Sequence, residues 1–227
     1  MQLLHTHLFT PLHERPTWFQ QEERANTITH SIAFCIALFG LYFLLVRAET
    51  LGNERTVIAC AIYGVSVMTT YLISAIYHFT MRPRIKHLFH ILDHMVIFLM
   101  IAGTYTPFTL ITLAGPWGWS LFAIVWSIAI FGILFKILFT GRFNILSTIL
   151  YLIMGWIALI AIVPIVESLP TVGLVWLIGG GILYTIGIFF YLMESVPFAH
   201  TIWHLFVIAG SIAHFVCIYN YVAIQPV

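Results

Sequence analysis

"WGWSLFAIVWSIAIFGILFKILF", residues 117–139, is 23 residues long and carries a single charge, Lys136. A run of about 20 apolar residues is the length of a helix that crosses the hydrocarbon core of a bilayer, and far longer than a strand needs. Six more runs of this kind lie at 28–46, 57–79, 87–112, 145–163, 172–193 and 200–222. Between them stand "RAETLGNERT", "TMRPRIK", "AGPW", "GRFN", "PIVESLPT" and "ESVPFA", which hold the charges, prolines and glycines of turns. The reading is all-α: a polytopic membrane protein built as a bundle of seven transmembrane helices. The whole chain agrees, with 61% of its 227 residues hydrophobic and 7% charged, where soluble domains carry about 25% charged residues.

The connections are too short for a second domain. The expected division is an N-terminal segment at 1–27, the seven-helix domain at 28–222 and a short tail at 223–227. The opening "MQLLHTHLFTPLHERPTWFQQEERAN" lacks the basic region, apolar stretch and cleavage site of a signal peptide. The first span is therefore expected to direct insertion. Arg15, Arg24, Arg82, Arg84, Lys86, Lys136 and Arg142 fall on one side of the spans, and only Arg47 and Arg55 on the other. This asymmetry places the N-terminus in the cytoplasm and, with seven spans, the C-terminus outside. Lys136 lies just inside a helix end, from which its stem is expected to snorkel to the interface. A net charge of +1 offers no electrostatic footprint for nucleic acid. Cys35, Cys60 and Cys217 are odd in number and far apart, which suggests neither a disulfide framework nor a thiolate metal site.

With that topology, polar groups from four distant stretches reach one depth in the inner leaflet. "HTIWH" puts His200 and His204 in the first turns of the seventh helix, and "SAIYH" puts Ser74 and His78 at the end of the second. "HLFHILDH" opens the third and carries Asp93 about 9 Å into the membrane at 1.5 Å per residue. "EERANTITH" puts Glu23, Asn26 and His30 on one stripe ahead of the first span. Ionisable groups inside spans are expensive and usually face the bundle interior, paired or functional.

Three histidines and a carboxylate suit zinc. His200 and His204, one turn apart on one face, can both reach one ion, and His78 supplies a third imidazole; three protein ligands leave the open position of a catalytic site. Asp93 could orient a ligand or take a proton from a water whose pKa zinc lowers to about 7. Ser74, on the face of His78, could hydrogen-bond that water or a developing oxyanion. Each has a plainer reading beside it. Ser74 can bond back to its own helix, and Glu23 and Asn26 also read as an interfacial capping pair. His90 and His94 repeat the same spacing and read as hydrogen-bonded packing, and His214, deeper by about 15 Å of helix rise, as a core histidine.

Taken in order, "EERAN…H", "SAIYH", "LDH" with "AGTYTPF", and "HTIWH" resemble the haemolysin III family, the bacterial branch of the progestin and adipoQ receptor group, related to the alkaline ceramidases. The likeness runs from about residue 22 to 222. It implies seven helices with a cytoplasmic N-terminus in a bacterial inner membrane. It also implies zinc on His78, His200 and His204, with Asp93 beside the zinc-bound water, Ser74 one turn before the first histidine, and Glu23 and Asn26 in the first motif. The expected function is zinc-dependent hydrolysis of a lipid amide or ester, linked to membrane lipid homeostasis, with membrane lipids as partners. The alternative is a receptor-like or homeostatic protein whose zinc ties helices together. A pore-forming cytolysin is the weaker reading, because acidic and histidine residues crowd one leaflet instead of forming rings along a channel. A retinal protein is excluded, since neither lysine, Lys86 or Lys136, lies in the seventh helix.

Overall fold

The computed structural model describes residues 18–50, 53–140, 142–193 and 195–225, and all regular structure among them is helical. Seven helices are long and apolar enough to cross a membrane: α1 Phe19–Glu49, α2 Glu54–Phe79, α3 Pro83–Thr112, α4 Gly115–Phe139, α5 Asn144–Ser168, α6 Thr171–Tyr191 and α7 Ala199–Val222. This is a multi-pass membrane bundle. Its outward faces carry large exposed apolar side chains such as Phe39, Leu138 and Ile160, a belt that only lipid would cover.

Sequence signals set the helix starts. Asn53 caps α2, its side-chain oxygen accepting from the backbone N–H groups of Arg55 and Thr56, and Pro83 opens α3 where no donor is lost. The chain turns into α4, α5 and α7 through left-handed backbone at Gly115, Phe143 and Phe198. The largest departure from expectation is α1, which begins nine residues before 28 and runs for 31 residues. Its added turns are polar, so hydropathy does not reveal them; they are helical because they pack inside the bundle, with Phe19, Glu22, Glu23 and Asn26 all buried. Residues 1–17 of the expected N-terminal segment, Arg15 among them, lie outside the described residues.

Neighbours in sequence are neighbours in space, α1 on α2, α2 on α3, α3 on α4 and α6 on α7, with α7 closing back on α1. The most buried helix is α3. Close approach needs small residues: a Cβ on Gly103 would lie 2.0 Å from Ser66 Oγ, and one on Gly132 2.3 Å from the Phe98 ring. Lys136 departs from expectation for a related reason. It continues the buried stripe of Leu121, Val125, Ala129 and Gly132, so it points into the bundle, is 0% exposed, and its Nζ has no hydrogen-bond partner among the described residues. It does not snorkel.

α5 is interrupted. Pro164 removes the N–H that would bond Ile160, and α5 tightens to a 3₁₀ stretch at Ile157–Ala161. Tyr105 of α3 fills the break: its hydroxyl donates to Gly155 O at 2.8 Å and accepts from Ala158 N at 3.0 Å.

Candidate metal centre

The polar turns of α1 organise the site. α7 has no side-chain cap of its own; instead Glu22 of α1 accepts from His200 N at 3.2 Å, and Asn26 Oδ1 accepts from Thr201 Oγ1 at 2.5 Å. Together they fix the first turn of α7, and with it His200 and His204. Glu23 turns to the other side, where its Oε1 accepts from Nδ1 of His78 on the last turn of α2 at 3.3 Å. The first turns of α1 thus hold both elements that carry the histidine group.

The ligand nitrogens of His78, His200 and His204 lie within 4.8 Å of one another. Their ring centroids are 5.2 Å apart for His78–His200, 5.0 Å for His78–His204 and 4.6 Å for His200–His204. His204 is 0% and His78 2% exposed, while His200 is half-buried. Among the described residues, His78 Nε2 and both ring nitrogens of His200 and His204 are buried without a hydrogen-bond partner. Five unpaired nitrogens on three adjacent rings would be costly. A metal ion would satisfy one nitrogen on each ring, and the chemistry fits: the ligand nitrogens around one tetrahedral zinc stand about 3.4 Å apart, against the 4.8 Å within which they lie here.

The other candidates divide. His30 belongs to the cluster but not to the converging set: its ring lies 3.8 Å from that of His204 and 6.5 Å from that of His78, edge-on to Tyr71. Asp93 and Ser74 are both buried and line one cavity. His90 and His94 pair with each other, ring centroids 4.5 Å apart, with His94 Nδ1 on the His90 carbonyl. His214 donates from Nε2 to Leu177 O at 3.1 Å, as a packed core histidine should. Two residues escaped sequence reading. Glu22 is masked by the adjacent Glu23. Lys86 counts as a loop charge, although its spacing of four to His90 and seven to Asp93 puts all three on the buried face of α3.

His30, Ser74 and Asp93 lie at one end of a cavity of about 140 Å³, lined mostly by apolar and aromatic side chains with scattered threonines, that runs between α3, α5, α6 and α7 as far as His214. A second space of about 80 Å³ shares Thr104, Tyr105, Gly155, Trp156, Gly181 and His214 with it and continues toward Leu113 and Ile165. Nothing in the sequence marks this void.

The family model for haemolysin-III related proteins matches residues 18–215. The chain belongs to the haemolysin III family. It is 49% identical over 208 residues to "Hemolysin-3" of Bacillus cereus, covering 92% of this chain and 95% of that one. It is 44% identical over 206 residues to the "Hemolysin-3 homolog" of Bacillus subtilis (strain 168), covering 91% and 97%. A human "Monocyte to macrophage differentiation factor" is 28% identical over 218 residues, covering 93% and 88%, which accords with the resemblance to the wider progestin and adipoQ receptor group. For a haemolysin III protein, the matched region contains every residue of the histidine cluster.

Proposed function

We propose that this haemolysin III protein binds one zinc ion through His78, His200 and His204 at the cytoplasmic side of a bacterial inner membrane, and hydrolyses an amide or ester bond of a membrane lipid there, in a role tied to membrane lipid homeostasis. The observation that carries the reading is a junction. Ser74 and Asp93 line a largely apolar cavity together with His30, and the His30 ring packs 3.8 Å from that of His204 in the three-histidine group.

Three protein ligands leave one position open, as in catalytic zinc sites. When bound, zinc supplies Lewis acidity toward a carbonyl and a water of pKa about 7. The chain supplies the rest. Asp93 is the group placed to accept a proton, since among the described residues no other carboxylate lines the cavity. Ser74, on the wall of the same cavity, is the donor for a developing oxyanion. The largely apolar lining suits an acyl chain held away from water, and His200 is the least buried of the three histidines. Relatives bear the name hemolysin, but a conducting pore needs polar groups along its path. Thr104, Thr106 and Thr109 instead turn their hydroxyls back to the carbonyls of Met100, Ala102 and Tyr105.

The test compares purified wild type with Asp93→Asn, both shown to hold zinc, on ceramides, lysolipids and phospholipids. Wild type should release fatty acid, and the variant should lose about 10²–10⁴-fold, the usual contribution of a general base. If neither releases fatty acid while cells lacking the protein show altered membrane lipid order, the non-enzymatic homeostatic reading replaces this one.

A further inference from the structure

Lys86 stands in the first turn of α3 and is 3% exposed. Its Nζ donates to Glu23 Oε2 and to the Tyr77 carbonyl at 3.1 Å, and lies 4.5 Å above the centre of the Tyr77 ring. The second oxygen of Glu23 accepts from His78 Nδ1. Lysine, carboxylate and imidazole thus form one chain across α3, α1 and α2, and each member is less than a tenth exposed.

The direction of these bonds matters. A lysine-paired carboxylate only accepts, so the proton between Glu23 and His78 belongs to Nδ1. The lone pair of His78 is then at Nε2, the ring nitrogen that lacks a partner. Carboxylates that hold a histidine this way fix its tautomer and ring plane and typically change metal affinity or activity by about 10–100-fold when lost. Glu23 alone could rotate, because its side chain has free torsions and a single bond to His78. Lys86 removes that freedom, being itself tied at the Tyr77 carbonyl and ring.

We infer that Lys86 is a positioning residue of the metal centre: through Glu23 it sets the tautomer and orientation of His78 and thereby the affinity of the three-histidine group. This rests on the zinc reading above. It also assigns Nε2 as the ligand atom of His78.

The full-length protein, purified in detergent, is titrated with zinc against a chelator and separately loaded with cobalt(II), whose visible absorption reports ligand geometry. Wild type, Lys86→Met, Lys86→Arg and the double variant Glu23→Gln/Lys86→Met are compared, with helix content and monodispersity confirming the fold. Lys86→Met should bind zinc about 10–100-fold more weakly with an altered cobalt spectrum, and Lys86→Arg should restore most of the affinity. If Lys86→Met does not fold, the double variant, which leaves no lone buried charge, carries the test with the same loss expected. Unchanged zinc affinity and cobalt spectrum in a folded variant overturn the inference and leave the three-histidine site standing. A wild type that takes up no zinc overturns both.

Discussion

Asn26 of α1 and Thr201 of α7 are joined side chain to side chain at 2.5 Å across 175 residues of sequence. Both are buried. The bond ties the helix that begins the bundle to the helix that ends it, within one turn of His200 and His204. Asn26→Ala leaves a buried hydroxyl without its acceptor and should cost about 1–3 kcal/mol. Thermal unfolding of Asn26→Ala, Thr201→Val and the double variant should show a coupling of about 0.5–3 kcal/mol. Strict additivity would mean that the two residues act independently.

Tyr105→Phe tests the broken helix. It removes the donor to Gly155 O and the acceptor for Ala158 N, two backbone groups that the 3₁₀ stretch leaves unsatisfied. Stability should fall by about 1–3 kcal/mol, and amide exchange should quicken at residues 157–161. Protection unchanged there would show that α5 satisfies its own backbone.

Gly181→Leu tests the cavity. Gly181 lines both spaces, and a Cβ there meets Trp156 at an ordinary 3.5 Å, so the fold should tolerate the larger side chain. Zinc content should stay at the wild-type level while lipid hydrolysis falls by about a factor of 10 or more, the scale on which an apolar pocket rejects a misfitting group. Undiminished hydrolysis would move the acyl chain elsewhere.

Orientation is testable with single cysteines in a background lacking Cys35, Cys60 and Cys217. Positions 84 and 142 should be labelled only from the cytoplasm, and 54 and 168 only from outside. The opposite pattern at all four would invert the bundle.

Hydropathy located the seven helices because each must bury its backbone polar groups within itself and present apolar side chains to lipid. It missed the first turns of α1 and the inward aim of Lys136, because tertiary packing, not local composition, decides both. The histidine cluster was legible for a different reason: imidazoles and a carboxylate in apolar runs are rare enough to stand out, and alternating topology predicts which share a depth. Lys86, Glu22 and the cavity were not legible. The first two are ordinary interfacial charges until their partners on another helix are known. The cavity is set by how α5 leans on α3 and α6, which no single stretch of sequence encodes.

The most direct measurement is the metal content of purified protein. Wild type should carry about one zinc per chain; His78→Ala, His200→Ala and His204→Ala should each lose most of it, because a three-ligand site cannot lose a member and stay closed on the ion. His94→Ala should keep it, since that ring belongs to the separate His90 pair. Full zinc in His204→Ala would contradict the assignment.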